Sequence, residues 1–132
     1  MRVLIACEYS RGIVLTKAVL RASDRLGMNA KQLARAVGLS EPTISRMKRG
    51  DFTLDENSKQ FELAALLVRA YRSLDAISGG EGNVIKAWLK APNSVLGGIP
   101  ADKIITISGL IDVITYLDSR RDDHLRKMGL LS

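Results

Sequence analysis

The chain has 132 residues, 46% of them apolar and 26% charged, which suffices for one compact domain or two small modules with a shared core and excludes a multidomain enzyme. Only 5% of the residues are aromatic, while leucine and alanine are plentiful, so the composition favours an all-α fold over a β-sandwich or barrel. The net charge of +6 is concentrated in residues 11–50, where nine basic residues accompany two acidic ones, and this asymmetry indicates a nucleic-acid-binding face in the first part of the chain.

Residue counts and hydropathy exclude several kinds of site. Cys7 is the only cysteine and His124 the only histidine, so the chain lacks both an intrachain disulfide and the ligand set of a typical zinc site. The apolar run near the start stops at Glu8, too early for a signal peptide, and no apolar run approaches the roughly 18 residues of a membrane helix. We predict a cytoplasmic protein that does not bind a membrane, a metal or a cofactor.

Three helices are predicted in the basic part of the chain, at residues 11–26, 30–37 and 41–49. Asn29 and Ser40 are suited to cap the second and third helices. Gly38 provides a tight corner between those two helices, and Gly50 ends the third. Two short helices joined by a glycine-containing turn form a helix-turn-helix.

The run at residues 26–50 resembles the Xre/Cro-type repressor helix-turn-helix. The resemblance implies that residues 30–37 form the positioning helix and residues 41–49 the recognition helix, which enters the major groove. In that arrangement Arg46 is the best candidate for a bidentate contact with guanine. The predicted DNA-binding residues are Lys31, Gln32, Glu41, Thr43, Ser45, Arg46, Lys48 and Arg49. The alternative is that the helix-turn-helix serves only as a helical scaffold and does not bind DNA. The basic charge of the same segment disfavours this alternative.

A long helix is predicted from a cap at Asp55 or Asn57 to about Ser78, with Gly79 and Gly80 ending it. Apolar residues follow two of its sides, so it needs two packing partners. It is therefore either the central helix of the fold or a helix that gives one side to a dimer, and burial in the fold is favoured.

The segment that follows predicts a short helix at residues 81–90 and then a corner. Pro92 ends the helix, Asn93 starts a turn, and Pro100 opens the next helix. Residues 104–117 are rich in β-branched side chains but keep helical spacing, so a last helix is predicted there, capped by Thr106 or Ser108.

The corner carries a second resemblance. Trp88-Leu89, then Pro92-Asn93, then Leu96-Gly97-Gly98 and Pro100, followed by a helix with Gly109, resemble the C-terminal toxin-binding domain of the Xre/MbcA/ParS antitoxin family. The two resemblances together cover about residues 15–120. They imply an antitoxin that pairs with a RES-domain toxin and binds its own promoter, and they assign any NAD chemistry to the toxin.

The candidate toxin-binding residues are Trp88, Asn93, Leu96, Leu110, Val113, Tyr116, Leu117, Arg120 and Arg121. Core packing is favoured for Trp88 and Leu96, whereas Leu110, Val113 and Leu117 suit a groove as well as a core.

We divide the chain into an N-terminal arm (1–10), the helix-turn-helix module (11–53), a central helix with a possible dimerisation role (54–80), the toxin-binding domain (81–120) and a solvated C-terminal tail (121–132). The arm has a strand-like apolar run without an obvious pairing partner in the chain, so it is expected to be flexible or paired with another molecule.

The leading hypothesis is a homodimeric antitoxin of a type II toxin-antitoxin system that neutralises a RES-domain toxin and represses its own operon through operator DNA. The alternative is a stand-alone Xre-family transcriptional regulator whose second half dimerises or senses a ligand. An enzyme is disfavoured, because no metal set, nucleotide loop or nucleophile with a base is apparent.

Overall fold

The computed structural model describes residues 10–129, which contain seven α-helices and no β-strand, so the all-α prediction is confirmed. Most of the predicted arm and the last three residues of the predicted tail lie outside this range. The helices are α1 (Arg11–Arg25), α2 (Ala30–Val37), α3 (Glu41–Arg49), α4 (Lys59–Ser78), α5 (Gly82–Lys90), α6 (Pro100–Lys103) and α7 (Ile107–Lys127).

The helix-turn-helix begins and ends where its local sequence predicts. The side chains and backbones of Asn29 and Gln32 form a reciprocal capping box at the start of α2, with hydrogen bonds of 2.8 and 2.9 Å. Ser40 Oγ accepts from the Thr43 N–H at 3.3 Å to cap α3. Gly38 has φ +75°, which allows the tight corner between the two helices.

Helix α4 is the central element, since it packs against α1, α2, α5 and α7. Its predicted cap was wrong. Asp55 Oδ1 accepts from the Asn57 N–H at 3.0 Å in a turn that precedes the helix, whereas Ser58 Oγ accepts from the Phe61 N–H at 3.1 Å and forms the actual cap. The preference for an acidic or amide cap overlooked the hydroxyl one residue further on.

The two halves of the chain share one hydrophobic core. Leu26, the residue that directly follows α1, meets Leu67 and Leu74 from α4 at a small internal gap, and residues from the second half close its other side. Those residues are Trp88, Leu89, Ile104, Val113 and Leu117. The helix-turn-helix and the following module are therefore fixed relative to each other by apolar packing.

The last helix begins at Ile107, directly after the first of its two predicted caps. Residues 104–106 form a turn between α6 and α7, and Thr106 Oγ1 accepts from the Gly109 N–H at 3.1 Å, so Thr106 and not Ser108 is the cap. Gly109 lies tightly against the end of α6: a Cβ atom there would lie 2.2 Å from the Lys103 carbonyl oxygen. This contact requires glycine, although φ at Gly109 is not positive.

Gly109→Ala is therefore expected to lower the free energy of unfolding by about 2–3 kcal/mol, because α6 and α7 must move apart to admit the methyl group. Urea unfolding followed by circular dichroism measures it. Gly82→Ala is the matched control, since a Cβ on this helical glycine meets no atom within 4 Å. Equal stability of the two variants would contradict the close packing of α6 on α7.

The segment predicted as a solvated tail continues α7 as far as Lys127. Arg126 and Asp123 form an i,i+3 ion pair at 3.6 Å in these turns. Residues 118–128 contain no proline or glycine, and the helix ends before Gly129, where φ is +75°. Residues 121–124 are solvent-exposed, so this part of α7 is helical but has little packing support.

No helix among residues 10–129 has the length and apolar character needed to cross a membrane.

Candidate nucleic-acid interface and partner-binding surface

Helix α3 has an apolar inner side and a polar outer side. Ile44 and Met47 are buried in the core, which sets the rotation of the helix. Five of the predicted DNA-binding residues are exposed on its outer side, namely Glu41, Ser45, Arg46, Lys48 and Arg49. The helix thus presents one acidic, one hydroxyl and three basic side chains to solvent.

Arg46 is held in place by two neighbours. Its Nη2 donates to Thr43 Oγ1 at 3.0 Å, and its guanidinium carbon lies 5.8 Å from the centroid of the Phe52 ring. Thr43 is only 7% exposed, and its hydroxyl also bonds to Ser40 Oγ at 2.8 Å. The sequence predicts that Thr43 faces outward and contacts DNA. Instead Thr43 is buried, and its hydroxyl orients Arg46. Phe52 was missed, because nothing in the sequence placed it under the recognition helix.

The segment after α3 is fixed by a buried hydrogen-bond relay. Thr16 Oγ1 donates to the Gly12 carbonyl at 2.6 Å and accepts from the Leu54 N–H at 2.9 Å. Gly12 permits this approach, since a Cβ there would lie 2.3 Å from the Leu54 carbonyl oxygen. The relay ties α1 to the chain leaving the recognition helix and so fixes the position of Phe52.

A basic cleft of about 460 Å³ adjoins the C-terminal end of α3. Lys17 from α1 lies along it together with Lys48 and Arg49. Arg49 Nε is 3.4 Å from Asp51 Oδ2, so its charge is partly balanced. Lys17 was not predicted as a contact, because its approach to α3 is set by helix packing.

The predicted residues on α2 differ in availability. Lys31 is exposed, whereas Gln32 is half-buried and its Oε1 already accepts the Asn29 N–H. Gln32 can offer a ligand its amide nitrogen, while its oxygen is already engaged in the capping box.

In the second half of the chain, Trp88 stacks on Tyr116 with a centroid separation of 6.1 Å and an interplanar angle of 19°. Arg120 extends this stack: its guanidinium carbon lies 5.4 Å from the Tyr116 ring centroid, and its Nε donates to the Tyr116 hydroxyl at 3.3 Å. Trp88 and Tyr116 are half-buried, while Arg120 and Arg121 are exposed.

Four candidate toxin-binding residues are buried in the core. Leu110, Val113 and Leu117 are 1–2% exposed, because this side of α7 packs on α4. Leu96 is also buried, as was favoured from its sequence context. Ile107 and Ile111, which have the spacing of an inner stripe, are instead exposed.

Asn93 organises the corner loop. Its Oδ1 accepts from the Val95 and Leu96 N–H groups at 3.0 and 3.1 Å, and its backbone N–H donates to the Gly98 carbonyl at 2.9 Å. The loop directs Leu96 into the core and leaves Val95 71% exposed. Asn93 is thus a loop-forming residue, since its carbonyl oxygen is already occupied.

Val95 lies at the edge of an open depression, which we call the α7 cleft. Its volume is about 480 Å³. The cleft is lined by Val95, Leu96, Asp112, Thr115, Tyr116 and Ser119. This mixture of an apolar edge, an aromatic ring and short polar side chains suits a protein partner.

The fold and these two surfaces define a helix-turn-helix protein with a second helical module built onto the same core. Residues 11–69 match the antitoxin Xre-like helix-turn-helix domain, and residues 73–122 match the antitoxin Xre/MbcA/ParS C-terminal toxin-binding domain. The chain belongs to the Xre/MbcA/ParS-type antitoxins. No curated protein matches it. These families are regulators and not enzymes, and the second domain indicates a toxin as the partner.

Proposed function

We propose that this antitoxin binds and neutralises a RES-domain, NAD-consuming toxin and represses its own operon from an operator, acting in the cytoplasm. The observation that carries the proposal is the union, on one hydrophobic core, of a helix-turn-helix and the toxin-binding domain with its Trp88 to Pro100 corner. Co-expression with a RES protein encoded beside its gene tests the pairing: the two chains are expected to co-purify. A stand-alone regulator, the alternative, would purify without it.

The α7 cleft is the proposed toxin contact. Val95 and the half-buried Tyr116 supply apolar area at its surface, and Asp112 and Ser119 supply polar groups around it. Aromatic anchors surrounded by polar residues are the usual arrangement of a protein interface. Arg120 and Arg121 extend the contact along α7.

The exposed end of α7 is the proposed inhibitory element. A pocket that binds NAD must attract a diphosphate, so positive groups are expected in it. Asp122 is exposed and forms none of the ion pairs seen among residues 10–129, whereas Asp123 is paired with Arg126. We propose that these turns cover the toxin's NAD pocket sterically and electrostatically.

The operator is the proposed ligand of α3. One recognition helix contacts too few base pairs for tight binding, so a two-fold homodimer reading half-sites about one helical turn apart is proposed. Arg46 is pre-oriented by Thr43 and Phe52, which reduces the entropy lost when it contacts a base.

Arg46→Ala is expected to weaken operator binding by about 1–3 kcal/mol and to relax specificity at one base position. Lys48→Ala is the matched comparison: it should weaken binding to all duplexes alike and flatten the salt dependence. Gel-shift titrations with the upstream region and with random duplex measure both effects. If the wild-type protein binds the two duplexes equally at about 150 mM salt, the repressor proposal is wrong.

A further inference from the structure

Two lysines of the toxin-binding domain lie beside the helix-turn-helix. Lys86 and Lys90 of α5 line a narrow cleft between the two halves of the chain, with a volume of about 140 Å³. The wall on the helix-turn-helix side consists of Leu26, Gly27, Met28 and Gln32, the residues that lead into α2 and its first turn. Neither lysine is accounted for by the contacts proposed for the toxin.

The orientation of α5 explains this placement. Lys86 and Lys90 are four residues apart, so they share one face of the helix, while Trp88 points to another face and stacks on Tyr116. Ile85 and Leu89 are buried and fix the rotation of α5. The helix therefore turns basic groups towards the helix-turn-helix and its aromatic ring towards α7.

The Lys86 side chain is positioned by packing. Its Cγ, Cδ and Cε atoms lie 3.6–3.7 Å from the site where Gly27 would carry a Cβ, which is ordinary van der Waals contact. The aliphatic part of the Lys86 side chain thus lies along the loop before α2, while the residue as a whole is solvent-exposed. Packing of this part restricts where the ammonium group can lie.

Both lysines are available to an external partner. Lys86 and Lys90 are exposed, and neither belongs to the ion pairs formed within residues 10–129. Lys31, which is also exposed, adds a third positive charge on the first turn of α2. Basic groups from α2 and α5 therefore lie at the N-terminal end of the positioning helix α2.

We propose that Lys86 and Lys90 bind the phosphate backbone of the operator, so that the toxin-binding domain supplies part of the DNA interface. The proposal rests on operator binding by α3. In a helix-turn-helix complex the positioning helix crosses the DNA backbone, which places phosphates next to the loop that Lys86 covers. An acidic segment of the toxin is the competing ligand, but the cleft faces the helix-turn-helix and not the α7 cleft.

This arrangement has a consequence for the assembled complex. Because the lysines and the Trp88–Tyr116 stack occupy different faces of α5, a toxin bound at the α7 cleft leaves the phosphate contacts available. DNA and toxin are therefore able to bind one protomer together.

The test is a salt titration of binding to the upstream duplex, followed by fluorescence anisotropy, with the full chain carrying Lys86→Ala and Lys90→Ala. Affinity is expected to fall on the order of tenfold near 150 mM salt, and the slope of log K against log salt to shrink by about 1.8 for each bound protomer, which corresponds to two lost phosphate contacts. The double variant Lys86→Arg, Lys90→Arg keeps the charge and should retain binding.

Lys59→Ala with Arg72→Ala is the control, since it removes the same charge from exposed positions of α4, a helix that lines neither the cleft of Lys86 nor the α7 cleft. Circular dichroism melting verifies that each variant is folded. If wild type binds the upstream duplex and the double alanine variant behaves like the control, the lysine proposal is overturned while operator binding stands. Reduced toxin affinity with unchanged DNA binding also overturns it and assigns the lysines to the toxin. Wild type that fails to bind the upstream duplex overturns both.

Discussion

Val95→Glu is expected to weaken binding of the toxin on the order of a hundredfold, or about 2.7 kcal/mol. Val95 is exposed at the edge of the α7 cleft, so the new carboxylate is solvated in the free antitoxin, whereas the proposed complex would bury it beside Asp112. An unpaired charge enclosed in an interface is among the most unfavourable substitutions there. Calorimetric titration of toxin with antitoxin measures the loss.

Val84→Glu is the matched control. Val84 is 51% exposed on α5 and does not line the α7 cleft, so the same substitution should leave toxin affinity within about twofold of wild type. Neither variant is expected to change DNA binding. Equal affinities for the two variants would show that the toxin docks elsewhere.

Truncation after Arg120 is expected to restore NAD loss in a complex that still forms. The shortened chain keeps the α7 cleft, which is the proposed source of affinity. It also keeps Leu117 in the core and Asp118 beside it. Asp118 joins α7 to α4 through its ion pair with Arg69, and its carboxylate also accepts from Ser73 Oγ at 3.4 Å. The truncation therefore removes the proposed covering element together with one proposed contact, Arg121, and leaves the α7 cleft intact.

Three further variants sharpen this experiment. Truncation after Lys127 removes only the residues beyond α7 and should keep full inhibition. Asp122→Asn should weaken inhibition more than Asp123→Asn, because Asp123 is already paired with Arg126. If the complex truncated after Arg120 forms and stays inactive, inhibition arises from the globular surface around Trp88 or from blocked assembly of the toxin.

The helix-turn-helix was predictable because its signals are local. Asn29, Gln32 and Ser40 act within their own helix turns. A glycine such as Gly38 adopts the left-handed backbone conformation that the turn between the two helices requires. Residues with these roles do not depend on the rest of the fold, so α2 and α3 begin and end as predicted. Ile44 and Met47 are three residues apart, which is the spacing of one helix face, and both are buried.

The second half was less predictable because packing decides it. Helical spacing placed Ile107 and Leu110 on one stripe, but only contact with α4 determines that Leu110 is buried and Ile107 exposed. Packing also decided one position in the first half: Thr43 has the position of a base contact, yet its hydroxyl is buried and holds Arg46. The approach of Lys86 to Gly27 joins residues 59 positions apart and leaves no local signal.

The proposed neutralisation of an NAD-consuming toxin is measured directly as the NAD that remains after incubation with the purified RES protein. With one equivalent of the full-length antitoxin, NAD loss is expected to fall to the level measured without toxin, and the Val95→Glu variant is expected to require a large excess to achieve this. Unchanged NAD loss at saturating antitoxin would rule out neutralisation of this toxin and leave the chain as a DNA-binding regulator.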